Sequence, residues 1–142
     1  MLIGTILQSK GPHVATVRPD ATVTELLTVL AEHNIGAVVV SEDGSSIAGI
    51  VSERDVVRRL NDRGAEVLGS PVSSIMTTEV HTCPPTANVD DLRQAMTNRR
   101  IRHVPVVAEG RMVGLVSIGD VVKSSIETLE TEKASLVDYL HR

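Results

Sequence analysis

The chain has 142 residues, enough for one domain with a real core, and its 42% apolar and 23% charged content is that of an ordinary globular protein. A formal net charge of −4 argues against a general nucleic-acid binder. No apolar run reaches the roughly 18 residues of a membrane span, and the start, Met1-Leu2-Ile3-Gly4-Thr5, lacks the basic and long apolar regions of a signal peptide.

Residues 2–8 read as a short amphipathic turn closed by Gly11-Pro12, and Val14–Arg18 as a short strand. Thr22 holds an N-cap position with Glu25 three residues on, so the spacing predicts a helix over about 22–33 with Leu26, Leu27 and Leu30 facing the core. Ile35–Val40 is apolar and β-branched, a buried strand. Glu42-Asp43-Gly44-Ser45 is a turn, and Ile47–Ser52 is a second apolar strand expected to be buried on both faces. Ser52 caps a helix running to about Asn61, and residues 62–70 read as a linker.

The second half follows the same grammar. A strand is expected at about 80–83 before Pro84-Pro85, a helix capped by Asn88, and strands near 103–107 and 111–116. Arg99 and Arg100 suit the C-terminal end of that helix, where the dipole favours cations. From Ile118 a last helix runs almost to the terminus, with Val122, Ile126, Leu129, Leu136 and Leu140 at helical spacing. An apolar stripe beyond a small core needs a covering, and a second copy of the chain is the expected one.

The grammar repeats because the sequence does. Val14, Thr16, Pro19, Ala21, Val23 and Leu26 recur 66 positions later as Val80, Thr82, Pro85, Ala87, Val89 and Leu92. Gly49-Ile50-Val51-Ser52-Glu53-Arg54-Asp55 recurs as Gly114-Leu115-Val116-Ser117-Ile118-Gly119-Asp120, each followed by Val-Val. Each phrase puts a hydroxyl and a carboxylate at the first turn of a helix. Such a place starts a helix by capping it, or holds a ribose or phosphate beside free backbone N–H groups. Each half therefore reads β-α-β-β-α. One half alone has too little core, so the two are expected to pack about a pseudo-twofold axis in an α/β (α+β) fold.

This order of elements, with both Gly-h-V-S-x-x-D phrases (h being apolar), resembles the cystathionine-beta-synthase (CBS) domain pair, or Bateman module. Ile35-Gly36-Ala37-Val38-Val39-Val40 and Ile101-Arg102-His103-Val104-Pro105-Val106 add to the likeness. The likeness covers nearly the whole chain as one module, with repeat one at about 1–62, repeat two at about 71–124 and the C-terminal helix at about 118–141. It implies a non-enzymatic regulatory protein that binds AMP, ADP or ATP (in some members NAD or S-adenosylmethionine) between the repeats, and that commonly forms a homodimer and modulates a protein partner.

By resemblance, Asp55 and Asp120 accept hydrogen bonds from ribose hydroxyls, and Ser52 and Ser117 contact ribose or phosphate. Adenine is expected against Thr16 and Val17 in repeat one and Thr82 and Cys83 in repeat two. Gly36 and Ala37 stand where repeat two has Arg102 and His103, with Pro105 and Ile118 completing the set. Arg102 binds an oxyanion with full charge at any pH, whereas His103 adds charge only when protonated. The Asp120 site is therefore the expected stronger one, with Arg54 available to the Asp55 site. A different reading keeps both Ser-x-x-Asp phrases as helix caps and makes the last helix the working part of a protein-interaction module.

Enzyme chemistry finds little support. No nucleophile elbow, Walker loop or dinucleotide fingerprint is present, and Cys83 has no base partner in the sequence. The five histidines are scattered without metal-ligand spacing, so no metal site is expected. With no Trp, no Phe and only Tyr139, a flat ligand ring must lie against aliphatic side chains or backbone, and nucleic acid stacked on aromatic platforms is excluded. One cysteine fits a reducing cytoplasm.

Overall fold

The computed structural model describes residues 1–11 and 13–141. Its elements are α1 (Ile3–Lys10), β1 (Thr16–Val17), α2 (Val23–His33), β2 (Ala37–Val40), β3 (Gly49–Ser52), α3 (Glu53–Arg63), α4 (Val89–Arg99), β4 (His103–Ala108), β5 (Arg111–Ser117) and α5 (Ile118–Leu140). Two 3-10 turns, Gly64–Gly69 and Val72–Ser74, join α3 to the second half. In the first sheet β1 runs parallel to β2, and β2 pairs antiparallel with β3. In the second, β4 and β5 pair antiparallel with an irregularity between Val106 and Val107.

Local chemistry accounts for most boundaries. The expected capping box of Thr22 and Glu25 forms at the start of α2, and Asn88 caps α4. Both helices end on a left-handed residue, Asn34 and its counterpart Arg100, a conformation that turns the chain sharply into the following strand. Several expectations differ in extent. The opening turn is a full helix through Lys10, whereas Pro12 lies outside the described residues. The strand expected over Val14–Arg18 shrinks to two residues. Residues 62–63 belong to α3.

Two differences are physical. β3 buries Gly49 and Val51 but leaves Ile50 and Ser52 half-buried, so it is covered on one face rather than two. The strand expected at 80–83 is a single parallel bridge of Cys83 with Val106. Pro84 and Pro85 follow at once, and proline has no N–H to extend a ladder. The bridge still keeps the repeat's register. The N–H of Val107 donates to the Cys83 carbonyl at 2.9 Å, as that of Ser41 donates to Val17 at 2.8 Å.

The two lead-ins cross over. Ile3 and Gly4 donate backbone N–H bonds to Ala87 and Pro85 of the second half, and Val72 and Ser73 donate to Ala21 and Pro19 of the first. The cores follow the crossing. Ile3 and Ile6 are buried with Cys83, Leu92, Met96, Val104 and Val116, while Val67, Val72 and Ile75 are buried with Val17, Leu26, Val38 and Val51. Each repeat thus closes its core with the segment that precedes the other, so neither can be removed without opening both.

α5 outgrows this core. Val121 and Ser124 are buried, but every residue from Leu129 to Leu140 is exposed. Leu129, Leu136, Tyr139 and Leu140 are 63%, 59%, 73% and 71% accessible.

Candidate functional site: the cleft at Asp120

Both Ser-x-x-Asp phrases form complete capping boxes. At α3, the Ser52 Oγ accepts from the Asp55 N–H at 3.2 Å, and Asp55 Oδ2 accepts from the Ser52 N–H at 2.8 Å and its hydroxyl at 3.0 Å. At α5, Ser117 Oγ accepts from the Asp120 N–H at 3.1 Å and Asp120 Oδ2 from the Ser117 N–H at 2.9 Å. Capping is therefore real at both positions. It uses one carboxylate oxygen of each aspartate, and Oδ1 of each takes no hydrogen bond from the described residues.

The glycine that opens each phrase has a packing reason. A Cβ built at Gly49 would lie 2.7 Å from the Thr77 carbonyl oxygen and 2.8 Å from Met76 Sδ, and one at Gly114 would lie 2.5 Å from Leu7 Cδ2. Both glycines let the crossed-over lead-ins lie directly on the strand. That contact brings the end of α1 to the Asp120 site.

A cleft of about 330 Å³ lies between the halves. Repeat one contributes His13–Ala15 and His33–Ala37; repeat two contributes His103, Gly114, Leu115 and Ser117; the end of α1 closes one side with Leu7, Lys10 and Gly11. Lys10 also lines a neighbouring hollow of about 320 Å³ that contains Asp120, Lys123 and Ser124, so it stands between the cleft and the aspartate. Its ammonium donates to Asp120 Oδ2 at 2.7 Å and to the Leu115 carbonyl at 2.8 Å. The corresponding hollow beside Asp55 is lined by Arg58, Arg59, Asp62 and Ile75–Thr77. In sequence Lys10 aligns with Glu79, which does not line that hollow, and the carbonyl of Ile50, counterpart of Leu115, accepts from the Thr77 backbone N–H instead. The halves are unequal at this point.

Charge states follow from these contacts. Burial alone would raise the Asp120 pKa, but the hydrogen bonds from Lys10 and Ser117 and the Lys10 charge hold it below its usual value. Burial, then the Lys10 charge, lower that of His103, against weaker opposing effects of Asp120 and Glu53. His103 is therefore a neutral imidazole at neutral pH. Burial pushes the Cys83 thiol up, and its side chain sits in the second core. A buried thiol with a raised pKa is a poor nucleophile.

Of the expected site residues, Gly36, Ala37, His103 and Ser117 line the cleft, and Asp120 reaches its edge through Lys10. Ser52 and Asp55 stand at the other phrase. Val17 and Cys83 are buried in the two cores. Thr16 belongs to β1, and Thr82 precedes the Cys83 bridge on the surface. Pro105 lies within β4, where its carbonyl accepts from the Cys83 N–H. Ile118 packs against the second core and ties α5 to the strand start through a bond to the Arg102 carbonyl at 2.8 Å. The side chains of Arg54 and Arg102 are exposed, and neither lines the cleft.

Sequence reasoning missed Lys10, His13 and His33. The usable signal for Lys10 was its alignment with Glu79, a charge reversal between otherwise matching lead-ins. His13 and His33 carried no pattern, yet their rings lie 6.0 Å apart in the same cleft that His103 lines. Among the described residues no group of three His, Cys, Asp or Glu side chains is placed to hold a metal ion. No described helix is long and apolar enough to cross a membrane.

The comparisons with known proteins agree with this architecture. The family model described as the CBS domain matches residues 9–62 and again 72–127. The chain is 35% identical over 146 aligned residues to the CBS domain-containing protein CBSX3, mitochondrial, of Arabidopsis thaliana, covering 97% of this chain and 71% of that protein. The crystal structure of the CBS-domain containing protein ATU1752 from Agrobacterium tumefaciens superposes with a TM-score of 0.85 at 42% identity, over 88% of this chain and 99% of that one. The CBS domain pair of protein MJ0100, solved in complex with 5-methylthioadenosine and S-adenosyl-L-methionine, gives 0.76 at 25% identity, over 87% and 98%. Two family matches in tandem, on a fold shared with solved members, establish that the chain belongs to the CBS domain family as a tandem pair.

Proposed function

We propose that the chain is a non-enzymatic regulatory module that binds an adenosine ligand in the inter-repeat cleft beside Asp120 and passes that binding to a protein partner. The observation that carries the reading is the cleft itself. It joins residues of one repeat (His13–Ala15, Gly36, Ala37) to Ser117 of the other, whose backbone N–H donates to Asp120. A flat base can lie against the aliphatic side chains, backbone and imidazoles (His13, His33 and His103) of the cleft, and Asp120 Oδ1 is available to accept a ribose hydroxyl. That MJ0100 was solved with two adenosine compounds supports the ligand class. Phosphorylated adenosine (AMP, ADP or ATP) is the leading ligand, because the charged group nearest Asp120 is a cation.

Binding across the two halves gives the ligand a means of acting at a distance. A compound that contacts both repeats stabilises one relative packing of them, and α5 starts at Ser117 in the cleft wall. Its differential affinity for two packings sets the coupling to a partner, typically about 1–3 kcal/mol and reciprocal. The partner is proposed to be read through α5, and a second copy of the chain to cover part of its apolar face. One buried cysteine suits a reducing compartment such as the cytoplasm.

The test is calorimetry with AMP, ADP, ATP, NAD and S-adenosylmethionine on wild type, Asp120→Ala and Asp55→Ala. Both variants lose the same kind of cap, so Asp55→Ala controls for lost helix stability. The expected result is binding by wild type and Asp55→Ala that Asp120→Ala loses. No binding at millimolar ligand, or binding indifferent to Asp120→Ala, would overturn the reading. The exposed apolar face of α5 favours a second reading, an interaction module whose clefts are vestigial. In that case neither aspartate variant would affect partner capture.

A further inference from the structure

α5 carries two different faces. Val121, Ser124, Ser125 and Thr128 turn towards the core and are buried or half-buried, and that face ends at Thr128. Val122, Ile126, Leu129, Lys133, Leu136 and Leu140 share another face, and all six are exposed. They follow one another at alternating intervals of four and three residues, over about 27 Å of helix. That alternation is the seam of a coiled coil, in which apolar residues recur every 3.5 positions. A groove of about 540 Å³, lined on the far side by Val89 and Arg93 of α4, borders the first half of the seam. A second helix laid along α5 is therefore seated against α4 as well.

We infer that this seam pairs with the same seam of a second copy of the chain, as a parallel two-stranded coiled coil whose register is set by Lys133. The inference rests on the proposed self-association through α5 and deepens it by fixing orientation and register. A seam this short is marginal between free peptides, because helix nucleation is costly. Here Val121 and Ser124 already anchor α5 in the core, so pairing starts from a formed helix.

Charge chooses the orientation. With the two helices parallel and level, the residues flanking the seam meet as Ser125 with the partner's Glu130 and Glu132 with the partner's Val137, so no like charges face each other. Each Lys133 then lies beside the partner's Glu132, and the two lysines and two glutamates of that layer balance. Turning one helix end for end to match the whole seam sets Glu130 against the partner's Glu130 and Glu132 against the partner's Glu132, two repulsive pairs. Sliding the parallel pair by seven residues moves Lys133 to the level of the partner's Ile126 or Leu140, away from the partner's Glu132. One charged layer in an otherwise apolar seam weakens the pair and fixes its alignment.

The experiment is disulfide trapping on the full chain at tens of micromolar, with wild type as control because its one thiol, Cys83, is buried. Leu129→Cys and Leu136→Cys are each expected to form covalent dimers in a glutathione redox buffer, since parallel pairing sets each position against itself. An equimolar mixture of Ile126→Cys and Leu136→Cys chains, oxidised and read by mass spectrometry, is expected to give homodimers only. Sedimentation equilibrium of Lys133→Met and Lys133→Glu supplies a readout that needs no cysteine. Lys133→Met is expected to tighten the dimer by about tenfold or more, and Lys133→Glu to weaken it by a similar factor. A mixed dimer of Ile126→Cys with Leu136→Cys shows antiparallel helices; it overturns the inference and leaves self-association through α5 standing. A dimer whose dissociation constant ignores both Lys133 changes lies elsewhere and also overturns the inference. A wild-type chain that stays monomeric overturns the inference and the self-association together.

Discussion

Replacing Gly49 by alanine tests whether the glycine of the repeated phrase is there for packing. The new methyl would meet the Thr77 carbonyl oxygen at 2.7 Å and Met76 Sδ at 2.8 Å. Met76 can rotate away, but the Thr77 carbonyl is pinned by the Ile50 N–H at 2.9 Å, and the Thr77 N–H returns a bond to Ile50 at the same distance. Relief therefore requires the lead-in to lift from β3, a packing strain of about 1–3 kcal/mol. Alanine also lowers the entropy of the unfolded chain, which returns about 0.4–1 kcal/mol. The net expectation is a loss of about 1–2 kcal/mol, or some 3–8 °C in Tm for a chain of this length. At Gly114 the obstructing atoms are all in the Leu7 side chain, 2.5–3.2 Å away. A flexible end can yield, so Gly114→Ala should cost less. Thermal and urea unfolding of both variants provide the comparison. A Gly49→Ala protein as stable as wild type, or a Gly114→Ala protein the less stable of the two, would refute the reasoning.

Two further outcomes follow from the same structure. Because His103 has its pKa lowered on folding, the folded state resists its protonation. The stability it confers is complete above the unfolded value of about 6.5 and is lost as pH falls through the folded value. Urea titrations at pH 7.5 and 5 should show wild type losing more stability on acidification than His103→Gln; the opposite order would contradict the assignment. Truncation after Thr128 removes only exposed residues of α5 and should leave Tm nearly unchanged while reducing a dimeric mass in light scattering to that of a monomer. A full-length chain that is monomeric at tens of micromolar would remove the case for self-association through α5.

The parts legible in the sequence were those governed by local chemistry. Thr22 with Glu25, and Ser52 and Ser117 with their aspartates, announce helix starts through short-range hydrogen bonds, and these formed as expected. The duplication gave the order of elements, because two weak patterns in register constrain each other. The crossing of the lead-ins was not legible. Ile3 and Ile6 match Val72 and Ile75 in pattern, but pattern alone does not say which core each pair enters. The composition of the cleft depends on that crossing, because it carries Lys10 to Asp120. Reasoning within each repeat assigned the phosphate side to Arg102 and His103; His103 lines the cleft, Arg102 is exposed and does not, and the cation that meets Asp120 comes from 110 residues earlier. The bridge at Cys83 shows the opposite case, where a local rule about proline was available and outweighed the β-branched pattern at Val80.

The most direct test of the adenosine cleft is a titration of the isotopically labelled protein with AMP, followed through assigned backbone amide resonances. The largest shifts are expected at His13–Ala15, Gly36, Ala37 and Leu115–Asp120, saturating together, with smaller shifts along the first turns of α5. Shifts confined to the Asp55 phrase or to the exposed end of α5, or no shifts at millimolar AMP, would contradict the account.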